Sequence, residues 1–265
     1  MVLRPAPTSI SWWGPKVPVP QVRTLWELAH VGTASIATLA GLAALVEAGL
    51  SLCVVAEESN AGKTSLLTAL LSAIPPSKEL VEVSQTRVRM YLDAPADSVF
   101  LIGEVSPHHP AYFWGQHAEF LLWALRHDRQ VLTTAHARDG AGFIEVMANA
   151  VGLEAVRDLR NWPVVVALDN QRQATDPSLH EVDWSHICGV WEVSTTSVGT
   201  EQQYLVGGDA DRPAVVSALR GDRFQIDPDS VDRWIQHISQ VPDPQIDPSR
   251  PSAMLAAAMR SATKS

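Results

Sequence analysis

Cysteine is scarce in this chain, and its scarcity argues against two classes of protein. The 265 residues contain two cysteines, Cys53 and Cys188, and neither belongs to a paired motif of the kind that binds zinc. Small secreted proteins that depend on disulfides carry many more. We therefore expect two reduced thiols, the first buried in a strand, and neither a disulfide framework nor a zinc site.

Positive charge is also in short supply. The chain has 20 lysines and arginines against 29 aspartates and glutamates, which gives a formal net charge of −9. A protein that binds nucleic acid through its overall field carries a basic excess instead. The composition predicts no nucleic-acid partner, while the length is ample for a buried core.

Uninterrupted apolar runs are missing as well. Prolines break residues 1–20 where a signal peptide would be continuously apolar, so no signal peptide is expected. The 22 residues from Ser35 to Ala56 approach the length of a membrane span, but Gly41, Glu47 and Gly49 interrupt them. A helix, a tight turn and a buried strand account for this stretch better than a transmembrane helix.

Apolar segments typical of buried strands alternate with helical segments along most of the chain. The predicted strands are Leu50–Ala56, Glu79–Val83, Val99–Gly103, Gln130–Ala135, Val164–Asp169 and Gly189–Ser194. The predicted helices are Thr64–Ala73, Tyr112–Arg126 and Gly142–Ala150, preceded by helices within Thr24–Val46 that break at Gly32 and Thr33. This alternation predicts an α/β fold with a doubly wound, mainly parallel sheet.

Proline-rich segments flank the predicted domain. Residues 1–23 form a Pro-rich lead-in with Trp12 and Trp13 adjacent, and residues 24–240 form the α/β domain. Residues 241–265 are a Pro-rich linker and a C-terminal tail, within which residues 252–260 are a candidate short helix.

A candidate phosphate-binding loop follows the first long strand. Gly62, Lys63 and Thr64 match the end of the pattern G-x-x-x-x-G-K-[ST], in which backbone amides and the lysine hold phosphate and the hydroxyl holds Mg²⁺. Glu57 occupies the first glycine position. A strand before the loop and a helix after it place a helix N-terminus at the anion. The predicted binding residues are Ser59, Asn60, Ala61, Gly62, Lys63, Thr64 and Ser65; the alternative is a surface turn that contains Gly-Lys-Thr.

Polar residues end three other predicted strands. Glu104 follows the apolar run that begins at Val99, in a position to hold Mg²⁺ or polarise the attacking water. His136 ends the strand after Thr134, where a phosphate would satisfy otherwise buried polar groups. Glu82 is a candidate general base. The alternatives are an ordinary solvent-facing glutamate and a histidine that is satisfied at the end of its strand.

Four segments in order resemble the C-terminal RecA-like ATPase domain of the type II and type IV secretion and Tad/Flp pilus-assembly traffic ATPases. They are Thr24–Leu28 with Gly32-Thr33, which resemble the family's segment leading into the motor domain, the phosphate loop with Ile74-Pro75-Pro76 after its helix, Gly103-Glu104-Val105 at the Walker B position, and Thr133–Ala137 at the histidine box. The similar region covers about residues 24–195. The resemblance implies a RecA-like P-loop NTPase.

The resemblance also implies roles for individual residues. Lys63 and Thr64 would bind phosphate and Mg²⁺, Glu104 would support the metal and the water, and His136 would sense the γ-phosphate. Glu82 falls at the family's catalytic glutamate. ATP and Mg²⁺ are the implied cofactors.

For the whole protein, the resemblance implies a homo-oligomeric, hexameric ring that acts in the cytoplasm, at the inner face of the membrane, on a membrane platform protein. It would power pilus assembly or secretion.

The chain departs from the family in its glycine-poor loop, in Ser106 where the family carries an arginine, and in the short segment before residue 24. That departure leaves open which residues would supply the inter-subunit arginines, and Arg23, Arg87 and Arg89 are candidates. Two readings remain open: an ATP-hydrolysing motor, or a degenerate paralogue with weak or no activity that serves as a nucleotide-binding scaffold or regulatory partner.

Overall fold

The structure, a computed structural model, describes residues 3–4, 23–157, 159, 161–171, 184–195, 200–207 and 226–240. The predicted tryptophan pair of the lead-in and the predicted helix at 252–260 lie outside these residues.

A seven-stranded sheet forms the centre of the fold. Its strands are β1 (Leu52–Val55), β2 (Leu80–Glu82), β3 (Val99–Val105), β4 (Gln130–Ala135), β5 (Val164–Gln171), β6 (Trp184–Thr195) and β7 (Thr200–Gly207). The order is β2-β3-β4-β1-β5-β6-β7, and the first five strands are parallel. The predicted doubly wound, mainly parallel sheet is confirmed.

The last two strands differ from the prediction. β6 pairs antiparallel with β5 and β7 pairs antiparallel with β6, so the direction of the strands reverses at each of these two pairings. β6 is also longer than the predicted Gly189–Ser194, and the sequence analysis did not predict β7.

Helices cover both faces of the sheet. They are α1 (Leu25–His30), α2 (Ile36–Glu47), α3 (Lys63–Leu70), α4 (Ala118–Arg126), α5 (Gly140–Val151), α6 (Leu153–Arg157) and α7 (Pro228–Ser239). One apolar cluster joins the sheet to α1, α2, α3 and α7, and a second joins it to α4, α5 and α6. We call these sides the α3 face and the α4 face. Strands buried on both sides explain the nearly continuous apolar runs in the sequence.

The apolar stretch from residue 35 to residue 56 is a helix, a turn and a strand, as predicted. Ser35 caps α2 by accepting from the amide of Thr38, and Gly49 takes a left-handed φ of 91° in the turn before β1. Glu47 accepts hydrogen bonds from Ser230 and from Trp234 Nε1, the latter at 2.9 Å. The one charge in this stretch therefore anchors α7. Among the described residues no helix is long and apolar enough to cross a membrane.

The predicted helix Tyr112–Arg126 begins later than expected. Phe113 is 2% exposed and forms a parallel bridge with Val105, so this part of the chain is extended. A short 3₁₀ turn at Gly115–His117 then leads into α4. Burial of Phe113 beside β3 outweighs the helical pattern that the sequence shows there.

Candidate nucleotide-binding site

The loop between β1 and α3 has the backbone conformation of a tight anion-binding turn. Asn60 and Gly62 have left-handed φ values of 66° and 78°, which asparagine and glycine adopt more readily than other residues. α3 begins at the next residue, and no side chain caps it at Gly62 in the described part of the chain. The loop thus presents a helix N-terminus, where backbone amides and the helix dipole favour an anion.

The two residues that begin α3 are buried. Lys63 is 4% exposed and Thr64 is 5% exposed. Lys63 Nζ donates to the carbonyl oxygen of Glu58 at 3.2 Å and lies 3.6 Å from Glu104 Oε1. A buried lysine needs such partners, because the cost of removing a charge from water is large. Its amine is therefore held beside the turn that precedes it.

Glu104 reaches this lysine because β3 contains a bulge. Ile102 and Gly103 together lie opposite Thr133 of β4, so β3 has one extra residue there. Phe100 and Ile102 pack on the α4 face, and strict alternation would put Glu104 on that face too. The extra residue reverses the alternation, so Glu104 turns to the α3 face, where Lys63 lies.

His136 contacts both Glu104 on β3 and the loop between β1 and α3. Its Nε2 lies 2.5 Å from Glu104 Oε1, and its Nδ1 lies 3.3 Å from the carbonyl oxygen of Glu57. The residue directly follows β4, which is the strand between β1 and β3. The imidazole is thus placed to respond to a change at either the carboxylate or the loop.

The charges of this cluster affect groups around it. Burial raises the pKa of the Cys53 thiol well above its ordinary value; Lys63 lowers this pKa and Glu104 raises it further. Cys53 is buried, as expected for a core thiol. Burial also raises the pKa of Tyr112, and the Glu104 carboxylate adds to that shift. Tyr112 was not predicted as a neighbour of the site, because the helical pattern of its segment gives no sign that this segment returns to β3.

Glu57 and Glu58, the residues that depart most from the phosphate-loop pattern, have exposed side chains. Their backbone carbonyls contact the cluster: that of Glu57 lies near His136, and that of Glu58 accepts from Lys63. This contribution of the backbone could not be predicted from the sequence, because every residue type carries a carbonyl.

The predicted general base is placed differently from the other site residues. Glu82 is the last residue of β2, exposed at the edge of the sheet, and β3 and β4 separate it from β1. At about 4.8 Å per strand, β2 lies roughly 15 Å from β1 in the hydrogen-bonding direction. The structure gathers Lys63, Glu104 and His136 but leaves Glu82 outside that group.

The three candidate inter-subunit arginines lie outside the strands of the sheet. Arg87 and Arg89 belong to the 3₁₀ segment Gln85–Tyr91 that follows β2, and the Arg87 side chain is exposed. Arg23 directly precedes the Thr24 cap of α1 and is partly exposed. Their role between subunits stays a prediction.

The residues at the site fit a Mg²⁺-bound nucleoside triphosphate. An uncapped helix N-terminus and a lysine amine match phosphate oxygens, while a hydroxyl and a carboxylate are the oxygen ligands that Mg²⁺ prefers. β4 lies between β1, which leads into the loop, and β3, which carries Glu104. The fold is therefore α/β, with a mainly parallel sheet flanked by helices, as predicted.

Two solved structures similar to this chain are the VirB11 ATPase from the Brucella suis type IV secretion system, in complex with sulphate, and the Legionella pneumophila ATPase DotB. The first is 22% identical over 57% of this chain with a TM-score of 0.42, and the second is 14% identical over 74% with a TM-score of 0.39. The chain covers 50% and 56% of their respective lengths, which is about half. No protein-family model and no curated protein matches the sequence.

Proposed function

We propose that the chain binds Mg²⁺-ATP at residues 59–65 and hydrolyses it. The observation that carries the proposal is the contact of one buried carboxylate, Glu104, with both Lys63 Nζ and His136 Nε2 beside the uncapped start of α3. Structural ion pairs alone would not require the left-handed turn at Gly62 or a bulge that redirects the acid. A phosphate site with a bound cation gives each of these features a role.

In this proposal the side chains of the chain divide the work. The amine of Lys63, which contacts the carbonyl of Glu58, would hold a phosphate oxygen, and the hydroxyl of Thr64 and the carboxylate of Glu104 would hold the cation. Mg²⁺, when bound, supplies charge neutralisation at the phosphates. His136 reports the occupancy of the site by its contact with the carbonyl of Glu57. Glu82, whose strand is separated from β1 by β3 and β4, takes no part in this arrangement.

We further propose that the protein is a motor subunit of a secretion or pilus-assembly system, acting at the cytoplasmic face of the membrane on a membrane platform protein. The support is the order of four motifs along residues 24–195. A motor of this class closes its site between neighbouring subunits, so a hexameric ring with an arginine supplied in trans, from Arg23, Arg87 or Arg89, is part of the proposal.

The first experiment measures ATP binding with and without Mg²⁺ by calorimetry. We expect Lys63→Ala to abolish binding and Glu104→Gln to weaken its Mg²⁺ dependence and stop hydrolysis. Arg157→Ala is the matched control, because it removes a cation that forms an exposed pair with Glu154 away from the site. Equal affinity in wild type and folded Lys63→Ala would remove the phosphate loop from the proposal.

A second candidate function is a scaffold or regulatory partner with weak or no activity, favoured by the two acidic residues in the loop. Each inward carboxylate would repel a triphosphate by about 1–4 kcal/mol. Because both side chains are exposed, we expect the double variant Glu57→Gly/Glu58→Gly to change ATP affinity by less than about tenfold. A larger gain in affinity would favour the scaffold.

Sedimentation at several protein concentrations tests assembly. With Mg²⁺ and a non-hydrolysable ATP analogue, a motor is expected to form a ring, and hydrolysis per subunit is expected to rise with concentration. Charge reversal at Arg87, which is exposed, should reduce that rise without unfolding the protein. A monomer that hydrolyses ATP at the full specific rate would contradict the ring.

A further inference from the structure

The bulge in β3 needs something to hold it in place. A regular parallel ladder satisfies the backbone groups of both strands, but a bulge leaves the extra residue outside the ladder. Here the extra residue lies within Ile102-Gly103, immediately before Glu104. A slip of one residue would return the carboxylate to the α4 face and away from Lys63.

Thr133 contacts the bulge directly. Its Oγ1 donates to the carbonyl oxygen of Gly103 at 2.9 Å and lies 3.5 Å from the carbonyl oxygen of Thr134. The side chain is 0% exposed. The shorter contact is therefore a buried hydrogen bond across strands, made to one of the two residues that the bulge displaces.

The surroundings of Thr133 make a hydroxyl costly unless it has this partner. Val131 and Ala135, two residues away on either side of β4, pack in the apolar cluster of the α4 face. A buried hydroxyl in such surroundings destabilises the fold unless it is hydrogen-bonded. Valine would fill the same space, so the shape of the core does not explain a threonine here.

We infer that Thr133 is a positioning residue: through its bond to the Gly103 carbonyl it holds the bulge that aims Glu104 at Lys63 and His136. Thr133 acts from the α4 face and the carboxylate acts on the α3 face, so the two side chains work from opposite sides of the sheet. The effect of Thr133 on nucleotide binding rests on the proposed function, whereas its effect on the geometry of Glu104 does not.

The first test needs no ligand. In protein labelled with ¹⁵N at histidine, the ring resonances of His136, assigned with His136→Gln, report its 2.5 Å contact with Glu104. We expect Thr133→Val to move these resonances and Thr133→Ser, which keeps the hydroxyl, to restore them. Unchanged His136 resonances in Thr133→Val would overturn the inference.

Gln130→Leu is the matched control. Gln130 lies on the same strand, is 5% exposed, and also donates from its side chain to backbone carbonyls, those of Val46 and Leu50. It is at the opposite end of β4, so its loss should lower stability without moving the His136 resonances. Equal resonance shifts in Gln130→Leu and Thr133→Val would mean that Thr133 acts only by stabilising the fold.

Thr133→Ala is the second variant without the hydroxyl, used if valine prevents folding. If neither variant folds while Gln130→Leu does, the bond holds the fold rather than the carboxylate, and the inference is wrong.

The second test measures Mg²⁺-dependent ATP affinity in the same variants. We expect at least a tenfold loss in Thr133→Val, recovery to within threefold in Thr133→Ser, and wild-type affinity in Gln130→Leu. Wild-type affinity in Thr133→Val, with binding lost in Lys63→Ala, would refute the inference and leave the proposed function standing. If Lys63→Ala binds as well as wild type, the proposed function fails, and the His136 resonances alone decide the inference.

Discussion

The ion pair between Lys63 and Glu104 predicts a measurable coupling even without a ligand. The two side chains are 5% and 2% exposed, and the charged atoms are 3.6 Å apart. At an effective dielectric constant of about 20, their attraction amounts to about 4–5 kcal/mol before the desolvation cost is subtracted. Removing one partner of a buried pair costs about 3–5 kcal/mol, because the other charge remains buried.

We expect the lower end of that range here. Glu104 keeps its contact with His136 when Lys63 is lost, and Lys63 keeps the carbonyl of Glu58 when Glu104 is lost. Lys63→Met and Glu104→Gln should each lower the free energy of unfolding by about 3 kcal/mol. The double variant should lose about 2 kcal/mol less than the sum of the two.

Urea unfolding of the wild type, both single variants and the double variant measures this coupling. The control is the same cycle on Arg157 and Glu154, whose side chains are 56% and 83% exposed although they approach within 2.9 Å. That pair should couple by less than about 0.5 kcal/mol, because water screens it. If the losses in free energy of unfolding from the two single variants simply add in the double variant, Lys63 and Glu104 do not stabilise each other. That result would contradict the ion pair at the site.

Three other predictions concern elements around the site. Gly62→Ala should lower the free energy of unfolding by about 1–2 kcal/mol in urea, because a left-handed φ of 78° strains any residue with a Cβ; an unchanged midpoint would contradict the turn. Glu47→Leu leaves the indole N–H of Trp234 without its acceptor and should cost about 1–3 kcal/mol, with faster hydrogen exchange in α7 as the measurement; unaltered α7 exchange would contradict the anchor. Burial lowers the pKa of His237 from 6.5, so the unfolded chain binds its proton more readily than the native one. The stability that this neutral imidazole contributes is present above about pH 6.5 and lost as pH falls through the lowered pKa, and His237→Gln should flatten the dependence of the urea midpoint on pH in that window; an equally steep dependence in the variant would contradict it.

Much of the fold could be predicted because its strands and helices have strong local patterns. β4 has the predicted bounds, Gln130–Ala135, and α3 with its 3₁₀ extension ends where Pro75 and Pro76 predicted. These elements are apolar runs with clear ends, and local pattern is enough to recognise them. The start of α4 was not predictable in this way, since Phe113 is buried by a contact with β3 that lies outside its own segment.

The amino-acid sequence defines the chemistry available at the site: a glycine that tolerates a left-handed turn, a lysine and a hydroxyl at a helix start, and an acid and a histidine at the ends of buried strands. How these groups come together depends on the pairing of the strands. By alternation from Phe100 and Ile102, Glu104 belongs on the α4 face, and one extra residue in β3 moves it to the α3 face beside Lys63. A bulge is a property of two paired strands, so no single segment of sequence contains it. The partners of the lysine and histidine in the loop are likewise backbone carbonyls of Glu58 and Glu57, which every residue type carries.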